Sequence, residues 1–491
     1  MKKLAILCLL ACCSLRAAYP IQGTFLNFYR NLTPELWTLE FQYMRAVDIN
    51  TVVLVSVGHL RPDLNDPSGY SIAPDGLLYP SDFVPASERP TRDLLETILS
   101  LADQNGMNVY LGSLQTATDW TGGTEFAALR TYNQRVALEI IQRYGNHQSL
   151  RGWYFAQEIW MNWVKKYGPG YQGTSLLANW AADMKNIDPA RATTASVVVK
   201  KEGSGEMSGL TAAELEAATT NLLQAARIDI LMPQDGIGAG NGAPSLDDLP
   251  EYFAAMQTAA QAANTSLWSA IETFSAVPNV AGECFPPAPI ARIQDQINRV
   301  SPSVSGYVSW IFGDDMSPQA TYYPVEASEL NRQYRLADDL LPLASYQLLS
   351  PPNLLYPDTQ TPSKLLDRTG GGYDGFLRGS WVGFADDSSY LPVQIVGDLG
   401  AVKTIHSVRA LTQSWIASGI YHPSQMDIDV SQDGSNWTPF GSTNAFPSDT
   451  QDFAVMWGEV TGSASARYVR WTLTYRQWLF LAELEVSGTG I

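Results

Sequence analysis

The stretch 152–159, GWYFAQEI, decides the fold, because a short apolar run ends in a carboxylate, Glu158. Two later stretches have the same form: 231–236, LMPQDG, and 268–274, WSAIETF. A short apolar run of this kind is typical of a fully buried strand. A carboxylate at its end is costly to bury unless it faces a wet cavity. These stretches therefore predict parallel strands of one sheet, with functional groups where the strands end.

The surrounding sequence extends this pattern to eight strands that alternate with helical segments. The predicted strands span 23–30, 51–58, 107–114, 152–159, 192–199, 228–237, 267–274 and 305–312. Eight β/α units in about 300 residues are typical of a (β/α)₈ TIM barrel, an α/β fold. A doubly wound open sheet is the alternative, but no Gly-rich phosphate loop follows the first strand.

A second domain follows the barrel. Prolines without a regular period predict a linker over 341–362, which separates a barrel domain at 19–340 from a domain at 363–491. In the second domain, alternating strands and tight turns, such as MDIDVSQDGSNW at 426–437, predict an antiparallel β-sandwich.

The first 18 residues predict an export signal, since Lys2 and Lys3 precede an apolar run that is followed by small residues. The sequence around Cys12 also resembles a bacterial lipobox, which would make Cys12 a lipid anchor. Free secretion, periplasmic location and an outer-surface lipoprotein all remain open. No later segment has the length and apolar character of a transmembrane helix.

Composition narrows the class of partner. The chain carries 31 Lys and Arg against 49 Asp and Glu, a net charge of -18, so nucleic acid is not an expected partner. Its 14 Trp and 23 Tyr offer flat rings with an apolar face and a polar edge, which suit sugars. The four histidines form no metal-binding spacing, so we predict no metal or other cofactor for catalysis.

The candidate site lies at the carboxyl ends of the barrel strands, where TIM-barrel chemistry is located. Alternation along the fourth strand places Tyr154 and Glu158 on one face, which we expect to line the barrel mouth. Glu158 and Glu272 are the candidate catalytic residues. The candidate substrate-binding residues are Asp235, Gln157, Gln234, Tyr154, Asn27, Tyr29, Gln115, Trp268 and Trp310. Asp235 could position substrate, modulate Glu272 or serve as the second catalytic carboxylate.

Glutamates at the ends of the fourth and seventh strands resemble the arrangement in clan A retaining glycoside hydrolases. The resemblance implies that Glu158 is the acid/base, Glu272 the nucleophile and Trp310 a platform beneath the sugar. The words GWYFAQE, LMPQDGIG and WSAIETF are also similar to a bacterial TIM-barrel family grouped with glycosidases. One departure is Gln157, since the clan usually has Asn immediately before its acid/base.

The second domain resembles the discoidin, or coagulation factor type C, family, which includes carbohydrate-binding modules. The matching words are VGDLG at 396–400, MDIDVSQDGSNW at 426–437, ARYVRW at 466–471 and AELEVSG at 482–488. The resemblance implies a structural calcium ion and glycan binding on loops at one end. Candidate binding residues there are Trp381, Trp415, Tyr421 and Trp478, each of which could equally be packed inside.

Together these features predict an exported glycoside hydrolase that cleaves a polysaccharide, with an appended carbohydrate-binding domain. The alternative from another class is a non-catalytic carbohydrate-binding surface protein. A polysaccharide lyase would need a Lys, Arg or metal to neutralise a uronate, and no such cluster appears at the strand ends. No Gly-x-Ser-x-Gly elbow supports an esterase.

Overall fold

The structure is a computed structural model. It describes residues 21–27, 32–116, 124–201, 209–239, 242–276, 285–335, 340–358, 363–366, 381–385, 392–446 and 453–489. The predicted export signal, Cys12 and Tyr29 lie outside these residues. Within them, none of the helices has the length and apolar character needed to cross a membrane.

Eight parallel strands close into a barrel, which confirms the predicted fold class. The strands are β1 (Gly23–Leu26), β2 (Thr51–Leu54), β5 (Asn108–Gly112), β7 (Leu150–Trp160), β8 (Ala192–Val198), β9 (Ile230–Pro233), β10 (Ser266–Glu272) and β11 (Gly306–Trp310). They follow the order β1-β11-β10-β9-β8-β7-β5-β2 around the ring. A small sheet of β3 (Gly58–Pro62), β4 (Tyr70–Ile72) and β6 (Leu114–Gln115) adjoins the barrel.

Helices connect the barrel strands. They are α1 (Pro34–Ala46), α2 (Leu94–Gln104), α3 (Thr124–Tyr144), α4 (Met161–Tyr167), α5 (Gln172–Ile187), α6 (Ala212–Ala226), α7 (Leu249–Ala263), α8 (Ile290–Val300), α9 (Phe312–Asp315) and α10 (Pro324–Arg335). Their starts follow from sequence: Thr33 caps α1 by accepting the Leu36 N–H, and Thr211 with Glu214 forms a capping box on α6.

Two apolar layers hold the barrel. An outer core, which includes Trp153, Phe155 and Ile271, fills the space between strands and helices. An inner core, which includes Phe25, Tyr154 and Ala270, fills the barrel itself. Successive side chains on a strand therefore alternate between the two cores, so the inward face carries the residues that reach the mouth.

The second domain is one continuous antiparallel sheet. Its strands are β12 (Leu340–Leu341), β13 (Ser345–Leu348), β14 (Val382–Ala385), β15 (Val393–Trp415), β16 (Gln425–Ser431), β17 (Thr438–Thr443), β18 (Phe453–Thr474) and β19 (Trp478–Thr489). The strands β15 and β18 are far longer than usual, and register shifts after Asp398 and Ile405 let them bend. The sheet folds around a main core that includes Ile395, Val408 and Trp471, which gives a sandwich.

The barrel and the sandwich meet through α10. Two short strands, β12 and β13, come from the region around the predicted linker and pair with β19 and β15. Arg409 of the sandwich is buried and donates to Glu329 of α10 at 2.9 Å and to Glu485 at 2.7 Å. Arg332 of α10 also reaches Glu485, at 2.9 Å. We call these four residues the junction cluster.

Candidate active site

Glu158 lies at the carboxyl end of β7, the fourth barrel strand. Its side chain is exposed at the mouth and accepts a hydrogen bond from Gln234 Nε2, at the end of β9, at 3.2 Å. Its charge helps burial raise the pKa of Tyr154, which lies in the inner core. Glu158 therefore faces the interior side of the strand, and water or a ligand can reach it.

Glu272 ends β10, the seventh barrel strand, and its side chain is only 3 % exposed. It follows Trp268 and Ala270 on the inward face of the strand. The backbone N–H of Ala239 donates to Glu272 Oε2 at 2.7 Å, and the Gly238 N–H also acts on the carboxylate. Gly238 must be glycine here, because a Cβ would lie 2.9 Å from Glu272 Cβ and 2.5 Å from the Phe274 carbonyl oxygen.

The protonation of Glu272 is strongly perturbed. Burial, together with the nearby charge of Asp235, raises the pKa of Glu272 to about 8. The N–H donors of Gly238 and Ala239 and the charge of Arg292 oppose this shift, since they favour the ionised form. A raised pKa at the end of a barrel strand makes Glu272 a candidate functional group.

Asp235 lies behind the mouth rather than in it. Its carboxylate, 1 % exposed, accepts hydrogen bonds from Gln296 Nε2 at 2.6 Å and from the backbone N–H groups of Ile237 at 3.2 Å and Glu272 at 3.3 Å. Burial raises its pKa. This placement favours modulation of Glu272, one of the roles expected for Asp235, over direct contact with substrate.

Arg292 and Gln296 of α8 support Glu272 from outside the barrel, and the sequence analysis did not find them. Arg292 Nη2 donates to the carbonyl oxygens of Glu272 at 2.8 Å and Phe274 at 2.6 Å. Gln296 Nε2 also donates to the Glu272 carbonyl, at 3.2 Å. A helix residue 20 positions after Glu272 carries no local motif, so only the fold reveals this contact.

A cleft of about 270 Å³ opens between the ends of β10, β11 and β1; Trp310, the strand neighbour of Glu272, lines it, whereas Glu272 itself does not. It is lined by Asn27, Trp310, Asp314 and Tyr322, among others. Trp310 is the direct cross-strand partner of Glu272 and packs on Phe25, with ring centroids 4.8 Å apart. Asn27 and Trp310, two predicted binding residues, thus lie together, whereas Asp314 and Tyr322 were not foreseen.

A buried acid, Asp315, adjoins the cleft and was also not foreseen. It accepts hydrogen bonds from Thr273 Oγ1 at 2.9 Å and from the Ile311 N–H at 3.0 Å. Burial raises its pKa well above the usual range. Its contacts fix the chain next to Trp310, so we assign it to holding Trp310 in place.

Three other predicted binding residues lie away from the cleft. Gln157 is buried, accepts from Thr116 Oγ1 at 3.1 Å and donates to the Leu114 carbonyl at 3.4 Å, so it points away from Glu158. Gln115 donates to the Ala156 carbonyl at 3.4 Å. Trp268 lies four residues before Glu272, about 13 Å further down the barrel.

No group of three or more His, Cys, Asp or Glu suited to a metal ion occurs among the described residues. The arrangement is a TIM-barrel mouth with a carboxylate at the end of its fourth strand, another at the end of its seventh and an aromatic-lined cleft beside the latter. The family model described as a domain of unknown function, DUF4434, matches residues 21–322. The chain therefore belongs to this family.

Parts of this chain are similar to solved structures. A crystal structure from Bacteroides thetaiotaomicron VPI-5482, assigned provisionally as an alpha-L-fucosidase, is 22 % identical, with a TM-score of 0.53, over 64 % of this chain and 94 % of that chain. A CBM32 module from Clostridium perfringens aligns with 30 % of this chain and 93 % of its own, at 15 % identity and a TM-score of 0.20. A chitosan-binding module from Paenibacillus sp. IK-5 aligns with 31 % and 99 %, at 21 % identity and a TM-score of 0.22. A search of the curated proteins finds no match.

Proposed function

We propose that the protein is an exported glycoside hydrolase that cleaves a polysaccharide with retention of configuration. The observation that carries the proposal is the pair of Glu158 and Glu272 at one barrel mouth, with Trp310 directly beside Glu272. Two carboxyl groups are the chemical requirement of most glycosidases: one protonates the departing oxygen and the other stabilises or attacks the sugar carbon.

Glu272 takes the role of nucleophile. Its carboxylate is held by backbone N–H groups from a fixed loop, and its main chain is anchored by Arg292, so it is positioned before substrate binds. Since the nucleophile must be ionised, its raised pKa predicts that the acidic limb of the pH–rate profile lies above the usual range of a glutamate.

Glu158 takes the role of acid/base. It first donates a proton to the leaving-group oxygen, and the same group then removes a proton from the water that hydrolyses the glycosyl-enzyme. A group that does both needs access to water, and Glu158 is exposed at the mouth. Gln234 Nε2 holds one of its oxygens at 3.2 Å, which fixes its direction.

The sandwich domain is proposed to bind glycan and keep the barrel near its polymeric substrate. A second binding site on the same chain raises the local concentration of substrate at the first. The structural calcium implied by the discoidin resemblance, the lipid anchor at Cys12 and export remain predictions.

A substrate screen tests the proposal. Purified protein is incubated with polysaccharides of plant, fungal and bacterial origin, and products are followed by mass spectrometry. We expect release of oligosaccharides from one polymer class by wild type and none by Glu272→Gln. Binding without products in the wild type would support the non-catalytic alternative instead.

A further inference from the structure

An aromatic pocket lies on the rim of the barrel next to Glu158. The helix α4 begins three residues after Glu158, and Phe126 lies near the start of α3. Both helix starts follow the carboxyl ends of barrel strands, so both lie at the catalytic edge. Between them is a pocket of about 260 Å³ lined by Phe126, Trp163, Tyr167 and Tyr171, with glycines at 170 and 173.

The rings form a continuous path that leads away from Glu158. Trp160 lies two residues after Glu158, and its ring centroid is 6.2 Å from that of Trp163. The ring centroids of Trp163 and Tyr171 are 5.9 Å apart. Tyr171 is stacked with Tyr167 at 6.5 Å, with an angle of 25° between the rings. Tyr167 is 44 % exposed, so the path ends at the surface.

The chemistry of this path suits a sugar better than an aliphatic ligand. Its side chains are aromatic, and Tyr and Trp combine a flat apolar face with a polar edge. The indole nitrogen of Trp163 is buried and has no hydrogen-bond acceptor among the described residues. Lys200 Nζ lies 5.6 Å above the Trp160 ring, which adds a polar group beside it.

The pocket also lies on the opposite side of the mouth from the cleft that Trp310 lines. In the ring of eight strands, β7 and β11 are four positions apart, which is the largest separation that the ring allows. A chain that places one sugar in the cleft and passes Glu158 therefore continues toward Trp160 and Tyr167.

We propose that this aromatic pocket binds the sugars on the leaving-group side of the scissile bond. The inference rests on the proposed function and narrows it: the substrate is a glycan that continues for several sugars beyond the bond, not a terminal sugar on a small aglycone.

Kinetics with two substrates test the pocket. Tyr167→Ala removes an exposed ring, and Phe83→Ala removes a ring of similar exposure, 41 %, that does not line the pocket. For the oligosaccharide that wild type cleaves, we expect Tyr167→Ala to lower kcat/KM about tenfold, while Phe83→Ala leaves it unchanged. For the 4-nitrophenyl glycoside of the same donor sugar, which has no sugar on the leaving-group side, both variants should match wild type. Equal losses on both substrates, or no loss on either, would overturn the proposal.

A binding experiment keeps the pocket testable if the protein hydrolyses nothing. The full chain is labelled with 5-fluorotryptophan, and Trp163→Phe identifies the Trp163 signal in the fluorine NMR spectrum. Cellohexaose, xylohexaose, mannohexaose, chitohexaose and hexagalacturonate are then added in turn. A shift of the Trp163 signal that Tyr167→Ala weakens supports the pocket even if hydrolysis is absent. An unmoved Trp163 signal with every probe overturns it.

Discussion

Two groups of carboxylates with little exposure, one at the junction of the domains and one at the barrel mouth, have different partners. In the junction cluster, Glu329 and Glu485 are both bound by Arg409, whose guanidinium also lies 3.6 Å from the centre of the Trp457 ring. At the barrel mouth, Glu272 and Asp235 lie beside each other, and the described hydrogen bonds of Arg292 go to carbonyl, hydroxyl and amide oxygens instead.

The difference in partners indicates a structural role for the junction carboxylates and a chemical role for those at the mouth. The positive charge of a guanidinium group compensates the negative charge of a buried carboxylate. If one partner is removed, the other charge stays buried in a medium of low dielectric constant without compensation, which is costly. Two neighbouring acids without such matching resist ionisation together, which raises a pKa into the range where protons are exchanged. Burial raises the pKa of Glu329 as it does that of Glu272, so the two regions differ in their partners and not in the pKa alone. Guanidinium groups hold the carboxylates at the junction, whereas amide and backbone N–H groups hold Glu272 and Asp235 at the mouth.

The largest effect is expected from Glu272→Gln, which keeps the shape of the side chain and removes the nucleophile. Hydrolysis of every substrate should fall on the order of 10⁴-fold or more, while substrate still binds. Steady-state rates and equilibrium binding measure the two quantities. The matched control is Glu251→Gln, an exposed residue of α7, which should keep wild-type rates. Retained hydrolysis in Glu272→Gln would place the chemistry elsewhere.

Glu158→Gln should have a substrate-dependent effect, because it removes the proton donor and leaves the nucleophile. Rates on natural glycans should fall about 10²- to 10⁴-fold, the usual worth of general acid catalysis. Aryl glycosides with acidic leaving groups need little protonation and should lose less than about tenfold in the first step. Burst kinetics with 2,4-dinitrophenyl and unactivated glycosides measure the contrast. An equal loss with both would rule out the acid role.

The junction is tested by Arg409→Met, which leaves Glu329 and Glu485 buried without their main cation. The free energy of unfolding should fall by about 3–5 kcal/mol, as measured by denaturant unfolding, while the folded protein keeps its kcat. Arg61→Met is the control, because its pair with Glu88 is exposed and worth about 0–1 kcal/mol. If Arg409→Met and Arg61→Met lowered the free energy of unfolding by similar amounts, the junction cluster would not have the stabilising role assigned to it.

The smallest predicted effect is a shift in pH dependence. Because the charge of Asp235 raises the pKa of Glu272, its removal in Asp235→Asn should lower that pKa. In the wild type, the acidic limb of the kcat/KM profile, along which Glu272 ionises, should lie above the usual range of a glutamate. In Asp235→Asn the same limb should move to lower pH, so activity near pH 7 increases. An Asn oxygen can still accept from the Ile237 and Glu272 N–H groups, whereas the hydrogen bond from Gln296 Nε2 is lost because the Asn amide nitrogen cannot accept it.

An exposed carboxylate provides the control for that shift. Asp247→Asn should leave the pH limb in place, since Asp247 is exposed and pairs with Arg299 on the surface. If the acidic limb of the kcat/KM profile stays in place in Asp235→Asn, or moves to higher pH, Asp235 does not raise the pKa of Glu272.

The barrel could be predicted from sequence because each strand is a short apolar run with a polar end, and all eight runs became barrel strands. The positions of Glu158 and Glu272 follow from the same pattern, since they are the terminal residues of such runs. Trp268 was predicted to bind substrate, although its distance from the strand end can be counted: four residues before Glu272 is deep in the barrel.

Other features depend on packing that no local pattern contains. Gln157 turns away from the mouth because neighbouring residues of a strand face opposite sides. Arg292 comes from α8, and its role depends on how that helix packs against β10. The junction cluster joins residues that are far apart in sequence. Glu329 and Arg409 are 80 positions apart, and Arg332 and Glu485 are 153 positions apart.

Azide rescue of the Glu158→Gln variant tests the central claim most directly. In this variant an activated glycoside still forms the glycosyl-enzyme on Glu272, but no general base activates water for its hydrolysis. Azide needs no such base, so it should restore turnover and give a glycosyl azide of the same anomeric configuration as the substrate, as read by proton NMR. A glycosyl azide of inverted configuration from Glu158→Gln, or one of retained configuration from Glu272→Gln, would show that Glu158 is the nucleophile and contradict the account.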